Sequence, residues 1–119
     1  MFWLLPPWDH VILLQSMRLL SRATLREFWR KHKDAERPLK AWANEVEKAQ
    51  WYDPAELKAL YASASFVGND RVVFNIGGNK YRVIVMIKFA NLKLKRNGVV
   101  FIRFIGTHSE YDKIDATKV

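Results

Sequence analysis

The sequence predicts an α+β domain in which N-terminal helices pack on one face of a small antiparallel or mixed sheet. Between positions 17 and 61, apolar residues recur at helical spacing, whereas from Arg71 onward they alternate with polar residues as in half-buried strands. Gly77-Gly78 and Asn97-Gly98 separate these strands as hairpin turns. Half of the 119 residues are apolar, which is sufficient for a single hydrophobic core.

Residues 1–16 differ from the rest and are predicted to form an extension outside the core domain, which then spans 17–119. A secretory signal would need a basic start and a longer apolar run. Pro6, Pro7 and Asp9 interrupt the stretch of about 20 apolar residues that a membrane helix requires. The alternative is an extra strand or a partner-binding arm, because large apolar side chains are costly to expose, here those of Phe2, Trp3, Trp8 and Leu13.

A short edge strand at Leu19 and Leu20 is predicted to lead into the first helix. Ser21 or Thr24 can cap this helix, and Thr24 with Glu27 fits the capping box, in which the glutamate returns to the cap N–H. The apolar face of the helix has i, i+3, i+4 spacing and consists of Leu25, Phe28 and Trp29.

Two further helices follow, each with an apolar stripe. The second is predicted from Pro38 to Gln50. The third begins at Asp53, because Asp53-Pro54-Ala55-Glu56 combines an N-cap, a proline at the first helical position and a capping-box glutamate. The residues predicted to face the core are Leu39, Trp42, Val46, Ala49, Leu57, Leu60 and Tyr61.

The two turns determine which face of the sheet each residue occupies. A two-residue turn at Gly77-Gly78 pairs Ile76 with Asn79 and Phe74 with Tyr81. One face is then apolar and carries Val72, Phe74, Ile76, Tyr81, Val83, Val85, Ile87 and Phe89. A type I′ turn at Asn97-Gly98 adds Val100, Ile102 and Phe104. The opposite face carries Asn75, Lys80, Arg82 and Lys88, with Arg103 joining Arg82 unless a bulge shifts the pairing.

The charge of the chain favours an anionic partner. The formal net charge is +8, and the stretch from Arg71 through Arg103 contains eight Lys or Arg residues and no Asp or Glu. Such a balance suits nucleic acid, an acidic protein or a membrane surface. The chain has no cysteine, which excludes disulfides and thiolate metal sites and favours a cytoplasmic location.

RNA phosphodiester cleavage fits these residues better than the other chemistries that we compared. Gly77-Gly78 lacks the spacing of a phosphate-binding glycine loop, and His10, His32 and His108 lack the spacing of a metal site, so no cofactor or metal is predicted. RNA cleavage needs a base for the 2′-hydroxyl, cations for the phosphorane and an acid for the departing 5′-oxygen. Arginine and lysine supply the cations, and histidine or tyrosine supplies proton transfer.

The candidate residues lie on the basic face and just after the last strand. Arg82, His108 and Tyr111 are the candidate catalytic residues, and the candidate RNA-binding residues are Asn75, Lys80, Lys88 and Arg103. Purely structural roles remain open for several of them. His108 fits the first turn of a short helix capped by Thr107, Tyr111 can pack on the sheet edge, and Lys80 can be a solvated edge charge.

Four stretches of the sequence resemble the HigB family of RelE-like toxins from bacterial toxin–antitoxin systems. They are residues 21–29 (SRATLREFW), 38–42 (PLKAW), 71–82 (RVVFNIGGNKYR) and 102–112 (IRFIGTHSEYD). The resemblance extends over about residues 17–115. It implies a small RelE-like fold, cleavage of ribosome-bound mRNA, and inhibition by a HigA-type antitoxin with a helix-turn-helix. No membrane is expected among its partners.

The resemblance also implies roles for individual residues. Related toxins carry an arginine on a central strand and a histidine or tyrosine after the last strand, which correspond by position to Arg82, His108 and Tyr111. Residues 93–97 look inserted relative to the family, so their role stays open. An alternative function is a non-catalytic RNA- or ribosome-binding module, which would bind RNA in a salt-dependent way and leave it intact.

Overall fold

A five-stranded mixed sheet organises residues 17–119, the part of the chain that this computed structural model describes. Its strands are β1 (Arg18–Leu20), β2 (Ser65–Gly68), β3 (Arg71–Ile76), β4 (Tyr81–Lys88) and β5 (Val99–Thr107), in the order β1-β5-β4-β3-β2. β1 is parallel to β5, and the other pairings are antiparallel. The α+β class and the mixed sheet are confirmed. The predicted extension 1–16 lies outside the described residues.

The helices are α1 (Arg22–Lys31), α2 (Glu36–Lys48), α3 (Pro54–Leu60) and α4 (His108–Tyr111), with a 3-10 turn at Lys33–Ala35. No helix among residues 17–119 combines the length and the apolar character needed to cross a membrane.

The helix caps at Asp53 and Thr107 are confirmed. The Asp53 carboxylate accepts a hydrogen bond from the Glu56 N–H at 3.0 Å. The predicted capping box at Thr24 is wrong, because α1 already includes that residue, whose N–H donates to the Ser21 carbonyl at 3.1 Å. Ser21 occupies the cap position with φ 70° but makes no side-chain cap bond.

The core lies between the helices and one face of the sheet. The helical residues Leu25, Leu39, Trp42, Val46 and Leu57 are buried against the predicted apolar face of the strands. The rings of Trp42 and Phe74 meet edge to face, with centroids 5.3 Å apart. Leu60 does not join the core as predicted and is 59% exposed, since α3 buries only Leu57.

The turn between β3 and β4 contains four residues, not the predicted two. Ile76 pairs with Tyr81 and Asn75 with Arg82. Gly77, Gly78 and Asn79 all have positive φ, at 64°, 61° and 81°, a conformation that glycine adopts at little cost. The predicted pairing is therefore wrong by two residues. A shift of two preserves the alternation of faces, so the predicted apolar face is still correct.

The predicted turn at Asn97-Gly98 is also wrong. The connection closes farther out, where Asn91 and Arg96 exchange backbone hydrogen bonds of 2.9 Å. Gly98 instead allows β1 to approach closely, because it has no side chain. A Cβ at Gly98 would lie 2.4 Å from Sδ of Met17, and the Gly98 carbonyl accepts from the Arg18 N–H at 2.8 Å.

A bulge in β5 changes the face on which the residues after it lie. Ile84 pairs with Phe104 and Val85 with Ile102, so Arg103 has no opposing residue. Phe104, predicted on the helix-covered face, lies on the other face beside Ile84. Ile105 turns to the helices in its place and is partly buried against the core.

The sheet face opposite the helices, here called the back face, carries Val73, Asn75, Arg82, Ile84 and Phe104. It is not the purely basic surface that the sequence predicted, because Val73 and Ile84 are only 3% and 0% exposed. We infer that the C-terminal segment, residues 112–119, covers them, because it runs from α4 at one end of the sheet to Arg71 at the other.

Two contacts fix the path of the C-terminal segment. The segment leaves α4 at one end of the sheet and reaches the β2–β3 turn at the other. There Asn69 Nδ2 donates to the Thr117 carbonyl at 3.0 Å, and the Arg71 guanidinium donates to the Val119 carbonyl at 2.5 Å. The segment thus covers the middle of the back face and leaves the end near α4 for the candidate site.

Candidate active site

Asn75, Arg82 and Gly106 form a row across β3, β4 and β5 on the back face. Neighbouring strands are about 4.8 Å apart, so side chains in such a row project next to one another. The row lies at the end of the sheet from which α4 continues after Thr107. It brings the predicted Asn75 amide and Arg82 guanidinium to the same surface.

Arg82 is the only charged residue classed as buried among residues 17–119, at 8% exposed. Its Nη1 donates to the Asn79 carbonyl at 2.9 Å, and its Cζ lies 5.8 Å from the centre of the Tyr111 ring. No carboxylate within the described chain pairs with it. The guanidinium therefore retains an uncompensated positive charge for an incoming anion.

The short helix α4 carries the two predicted proton-transfer residues. A capping box fixes its start: Thr107 Oγ1 accepts from the Glu110 N–H at 3.2 Å, and Glu110 Oε1 accepts from the Thr107 N–H at 2.8 Å. His108 occupies the first helical position, as the sequence suggested, and its Nε2 lies 3.9 Å from Oδ1 of Asp112. Tyr111 turns toward Arg82, whereas His108 is exposed.

The other predicted cations lie apart from this cluster. Lys80 is bonded to Asp34 in the β3–β4 turn. Lys88 pairs with Asp70 at 2.7 Å, six strand positions beyond Arg82 and thus about 20 Å away. Arg103 lies over the Phe101 ring at 5.0 Å rather than beside Arg82. Arg82 pairs with Gly106, three residues farther along β5, and the bulge leaves Arg103 without a partner on β4.

Asp34 is a residue that the sequence analysis missed. It accepts hydrogen bonds from the Lys80 ammonium and, at 2.5 Å, from the Tyr81 hydroxyl. The bond from Lys80, followed by that from Tyr81, lowers the pKa of Asp34 below its ordinary value of 3.8. The same bonds raise the pKa values of Lys80 and Tyr81. The charge of Lys80 is thus already balanced. A lone aspartate in a linker carries no sequence signal for this pairing.

Phe104 is the second residue missed at this site. A Cβ at Gly106 would lie 2.6 Å from Cζ of Phe104, so the phenyl ring covers the glycine. Since Gly106 is the strand partner of Arg82, this ring adds an aromatic surface next to the guanidinium. The bulge that brings it there cannot be read from the alternation of residues. Within residues 17–119, no group of His, Asp or Glu side chains is arranged to hold a metal ion.

Comparison with known proteins relates most of the chain to one family. Residues 35–114 match the HigB toxin family, described as the RelE-like toxic component of a toxin–antitoxin system. The mRNA interferase toxin HigB of Escherichia coli (strain K12) is 34% identical over 98 residues, which cover 81% of this chain and 88% of that protein. The mRNA interferase HigB of Shigella flexneri gives the same values.

A more divergent relative supports the same assignment. The mRNA interferase HigB of Escherichia coli O6:H1 is 27% identical over 100 residues, covering 82% of this chain and 91% of that protein. The range matched by the family includes Asn75, Arg82, His108 and Tyr111. The chain therefore belongs to the HigB toxin family, the RelE-like toxic components of toxin–antitoxin systems.

Proposed function

We propose that this chain is an endoribonuclease that cleaves mRNA and so inhibits translation. Its relatives are named mRNA interferases, and its family is the toxic half of a toxin–antitoxin system. The observation that carries the proposal is the Arg82 guanidinium, buried in the back face, in contact with Tyr111 and unpaired with any carboxylate of residues 17–119. A cation held in this way is suited to stabilise the charge of a reacting phosphate.

The reaction that fits is attack of a ribose 2′-hydroxyl on the adjacent phosphorus. The 2′-oxygen loses its proton to a base, negative charge develops on the phosphorane oxygens, and the 5′-oxygen departs with a proton from an acid. The products are a 2′,3′-cyclic phosphate and a 5′-hydroxyl. Arg82 stabilises the phosphorane, since a guanidinium can donate two parallel N–H bonds to phosphate oxygens. The reaction proposed here needs no bound metal, because a side chain supplies the cation.

We assign the proton transfers to His108 and Tyr111. Imidazole is the side-chain group best suited to accept and return a proton near neutral pH. Asp112, 3.9 Å from Nε2 of His108, can orient the ring. The Tyr111 ring rests against the Arg82 guanidinium. The Tyr111 hydroxyl is therefore the second proton-transfer group that we assign to this end of the back face.

The remaining candidates bind substrate. Asn75, beside Arg82 in the row, can hydrogen-bond the RNA next to the scissile phosphate. The partly exposed Phe104 ring offers a surface for base stacking, which contributes about 1–3 kcal/mol per base. Weaker phosphate contacts, which salt screens more easily, come from Lys80, Lys88 and Arg103. They are weaker because each of these residues already has a partner within the protein.

We also propose that the toxin acts on the ribosome and that an antitoxin inhibits it. The substrate is mRNA on the ribosome in the cytoplasm. The high density of phosphate groups there attracts a chain of formal charge +8. The restraint is a HigA-type antitoxin with a helix-turn-helix, encoded beside the toxin gene. Membership of a toxin–antitoxin family supports a partner of this kind.

A translation reaction with purified components tests the activity. Toxin is added to a defined mRNA with and without ribosomes, and cleavage is followed by primer extension. We expect cuts with 5′-hydroxyl ends when ribosomes are present, and little or no cleavage of the naked mRNA. Intact mRNA in both reactions, together with salt-dependent RNA binding, would instead identify a non-catalytic binding module.

A further inference from the structure

A pocket lies between α1 and the last part of β5, beside the start of α4, and takes no part in the proposed cleavage chemistry. Within residues 17–119, β1 pairs with β5 only at positions 99–101, and α1 packs against β5. The pocket has a volume of about 270 Å³, which suits a single planar base better than a larger ligand. Its lining includes Glu27, Phe28, Lys31, His32, Ile105 and Glu110.

The pocket adjoins the candidate active site through Glu110. Gly106 is the strand partner of Arg82. The point at which a Cβ of Gly106 would lie is 2.6 Å from Cζ of Phe104 and 3.1 Å from Oε1 of Glu110. Glu110 therefore lies beside the row that carries Arg82 and also forms part of the pocket wall. An RNA strand whose phosphate meets Arg82 can pass over Phe104 and reach the pocket.

One wall of the pocket is aromatic. Phe28 and His32 stack with their ring centroids 4.4 Å apart, and the Tyr81 ring meets them edge to face at 5.3 and 5.6 Å. This packing holds the two rings in place, while both remain partly exposed. Proteins recognise single-stranded RNA largely by stacking its unpaired bases on such rings. The pocket therefore offers a surface for a base.

The pocket also contains a carboxylate without a partner. Glu27 does not join the capping box that the sequence predicted. It is exposed, and no hydrogen bond or ion pair of residues 17–119 engages its side chain. An ionised carboxylate accepts hydrogen bonds only. Beside a phosphate chain it is unfavourable unless it meets N–H donors, which an RNA base can supply.

Guanine is the base whose donors match a carboxylate best. Its Watson–Crick edge presents two neighbouring N–H donors, at N1 and at the 2-amino group. A carboxylate accepts two such bonds side by side, as it does from arginine. Adenine and cytosine present one amino donor next to a ring acceptor, and uracil presents one N–H between two carbonyls. Each of these three bases would place an acceptor against the carboxylate.

The cation of the pocket can hold the backbone of the same nucleotide. Lys31 is exposed at the end of α1, and no carboxylate within the described chain pairs with it. Its ammonium is therefore free to contact a phosphate, which positions the strand without reading its sequence.

We propose that this pocket binds a guanine base of the mRNA close to the scissile bond. The base stacks on the Phe28 and His32 rings, Glu27 accepts from its N1–H and 2-amino group, and Lys31 contacts its phosphate. The inference rests on the proposed function, which supplies the RNA strand and the cut. Glu27 is then a specificity-determining residue for the reaction.

Cleavage of matched mRNAs tests the pocket. One strong cut by the wild-type toxin is mapped in the translation reaction, and each base around it is replaced in turn. We expect one position at which guanine gives cleavage at least about tenfold faster than the other bases. Glu27→Gln should lose this difference, because an amide places a donor against one of the two N–H groups. Each ratio is measured within one protein, so differences in folded fraction cancel.

Glu36→Gln is the matched control. It makes the same change in charge on α2, where Glu36 pairs with Lys40 at 2.5 Å and does not line the pocket. The preference for guanine should be unchanged in this variant. Equal loss of the preference in Glu27→Gln and Glu36→Gln would point to net charge alone and overturn the pocket.

Inosine in place of guanosine at the sensitive position provides a second readout. Inosine keeps N1–H but lacks the 2-amino group, so one of the two bonds to Glu27 is removed. Wild-type cleavage should slow at least about threefold, the usual effect of one hydrogen bond, and Glu27→Gln should cut both mRNAs equally.

The outcomes separate this inference from the proposed function. A wild-type toxin that cuts equally well whatever the neighbouring bases overturns the pocket and leaves the proposed function intact. A preference for guanine that persists in Glu27→Gln also overturns the pocket, because other residues or the ribosome must then impose it. Absence of any cleavage by the wild type overturns the proposed function, and the pocket with it.

Discussion

The guanidinium of Arg82 lies 5.8 Å from the centre of the Tyr111 ring, across the corner between β4 and α4. The contact joins a cation on a central strand to the helix that carries His108. It makes one end of the back face the point where positive charge and the candidate proton-transfer groups meet. Substitutions at this end of the sheet can show whether it performs the reaction.

Replacing Arg82 should reduce mRNA cleavage more than replacing any other cation. We expect Arg82→Ala to lower the rate about 10²–10³-fold, the usual effect of removing one donor to a developing negative charge. Arg82→Lys should also be impaired, because an ammonium cannot replace the planar fork of N–H donors. Initial rates of cleavage in the translation reaction measure both effects.

Arg103 provides the matched control for Arg82. It is exposed and stacks on Phe101, so Arg103→Ala should keep the rate within about threefold and change mainly the salt dependence of RNA binding. Circular dichroism of each variant checks that the fold is retained. Equal losses in Arg82→Ala and Arg103→Ala would contradict the assignment of Arg82.

Two substitutions at Tyr111 separate its hydroxyl from its ring. If the hydroxyl transfers a proton, Tyr111→Phe should lower the rate about 10²-fold or more while preserving the ring contact with Arg82. If the ring only supports the guanidinium, Tyr111→Phe should be active and Tyr111→Ala should be impaired. We expect the first result. Ser109→Ala on the same helix is the control and should cleave at the wild-type rate.

The Asp34 cluster should make stability depend on pH in the acidic range. The pKa of Asp34 is lowered in the folded protein by its bonds from Lys80 and Tyr81, so its contribution to stability is present above pH 3.8. The contribution is lost as the pH falls below that value toward the lowered pKa and the carboxylate takes up a proton. Asp34→Asn should therefore be less stable than wild type near neutral pH, and the difference should shrink below pH 3.8.

Urea unfolding at a series of pH values measures this difference. Asp70→Asn is the control, because Asp70 has only an exposed ion pair with Lys88, a type that contributes little. Asp34 has a similarly exposed ion pair with Lys80 but also accepts a hydrogen bond from the part-buried Tyr81 hydroxyl. A difference between wild type and Asp34→Asn that stays constant across the acidic range would show that the Asp34 bonds do not survive in solution.

Gly106 should be intolerant of a side chain. Its Cβ would lie 2.6 Å from Cζ of Phe104, so Gly106→Ala must displace the ring, at a cost of about 1–3 kcal/mol in the free energy of unfolding. Phe104→Leu in the same chain removes the clash and should recover part of this loss. Thermal or urea unfolding of the two single variants and the double variant measures the coupling. Additive effects would mean that the ring does not lie over Gly106.

The alternation of residues was sufficient to predict the faces of the central strands. Val72, Phe74, Val83 and Val85 lie under the helices as expected, even though the turn that joins them has two more residues than predicted. An error of two residues leaves alternation unchanged, whereas a bulge adds one and reverses it. For this reason Phe104 was assigned to the wrong face.

The roles of Gly98 and Asp34 could not be predicted from the sequence for a different reason. Gly98 follows an asparagine, as in a hairpin turn, but what it provides is room for Met17 from a distant part of the chain. Asp34 stands in a linker, and its partners Lys80 and Tyr81 come from the β3–β4 turn and strand. Such long-range contacts leave no local pattern. The burial of Ile84 by the C-terminal segment was missed for the same reason.

The most direct test maps the 5′ ends of cellular mRNA after brief expression of the toxin. Wild-type protein should produce new 5′-hydroxyl ends within coding regions. His108→Ala should produce them at least about 10²-fold less often, because it lacks a proton-transfer group. His108→Ala should retain the fold, since His108 is exposed. Because active toxin limits its own synthesis, the number of new ends is compared at equal toxin levels. Equal numbers of new ends from wild type and His108→Ala, or none from wild type, would contradict the account.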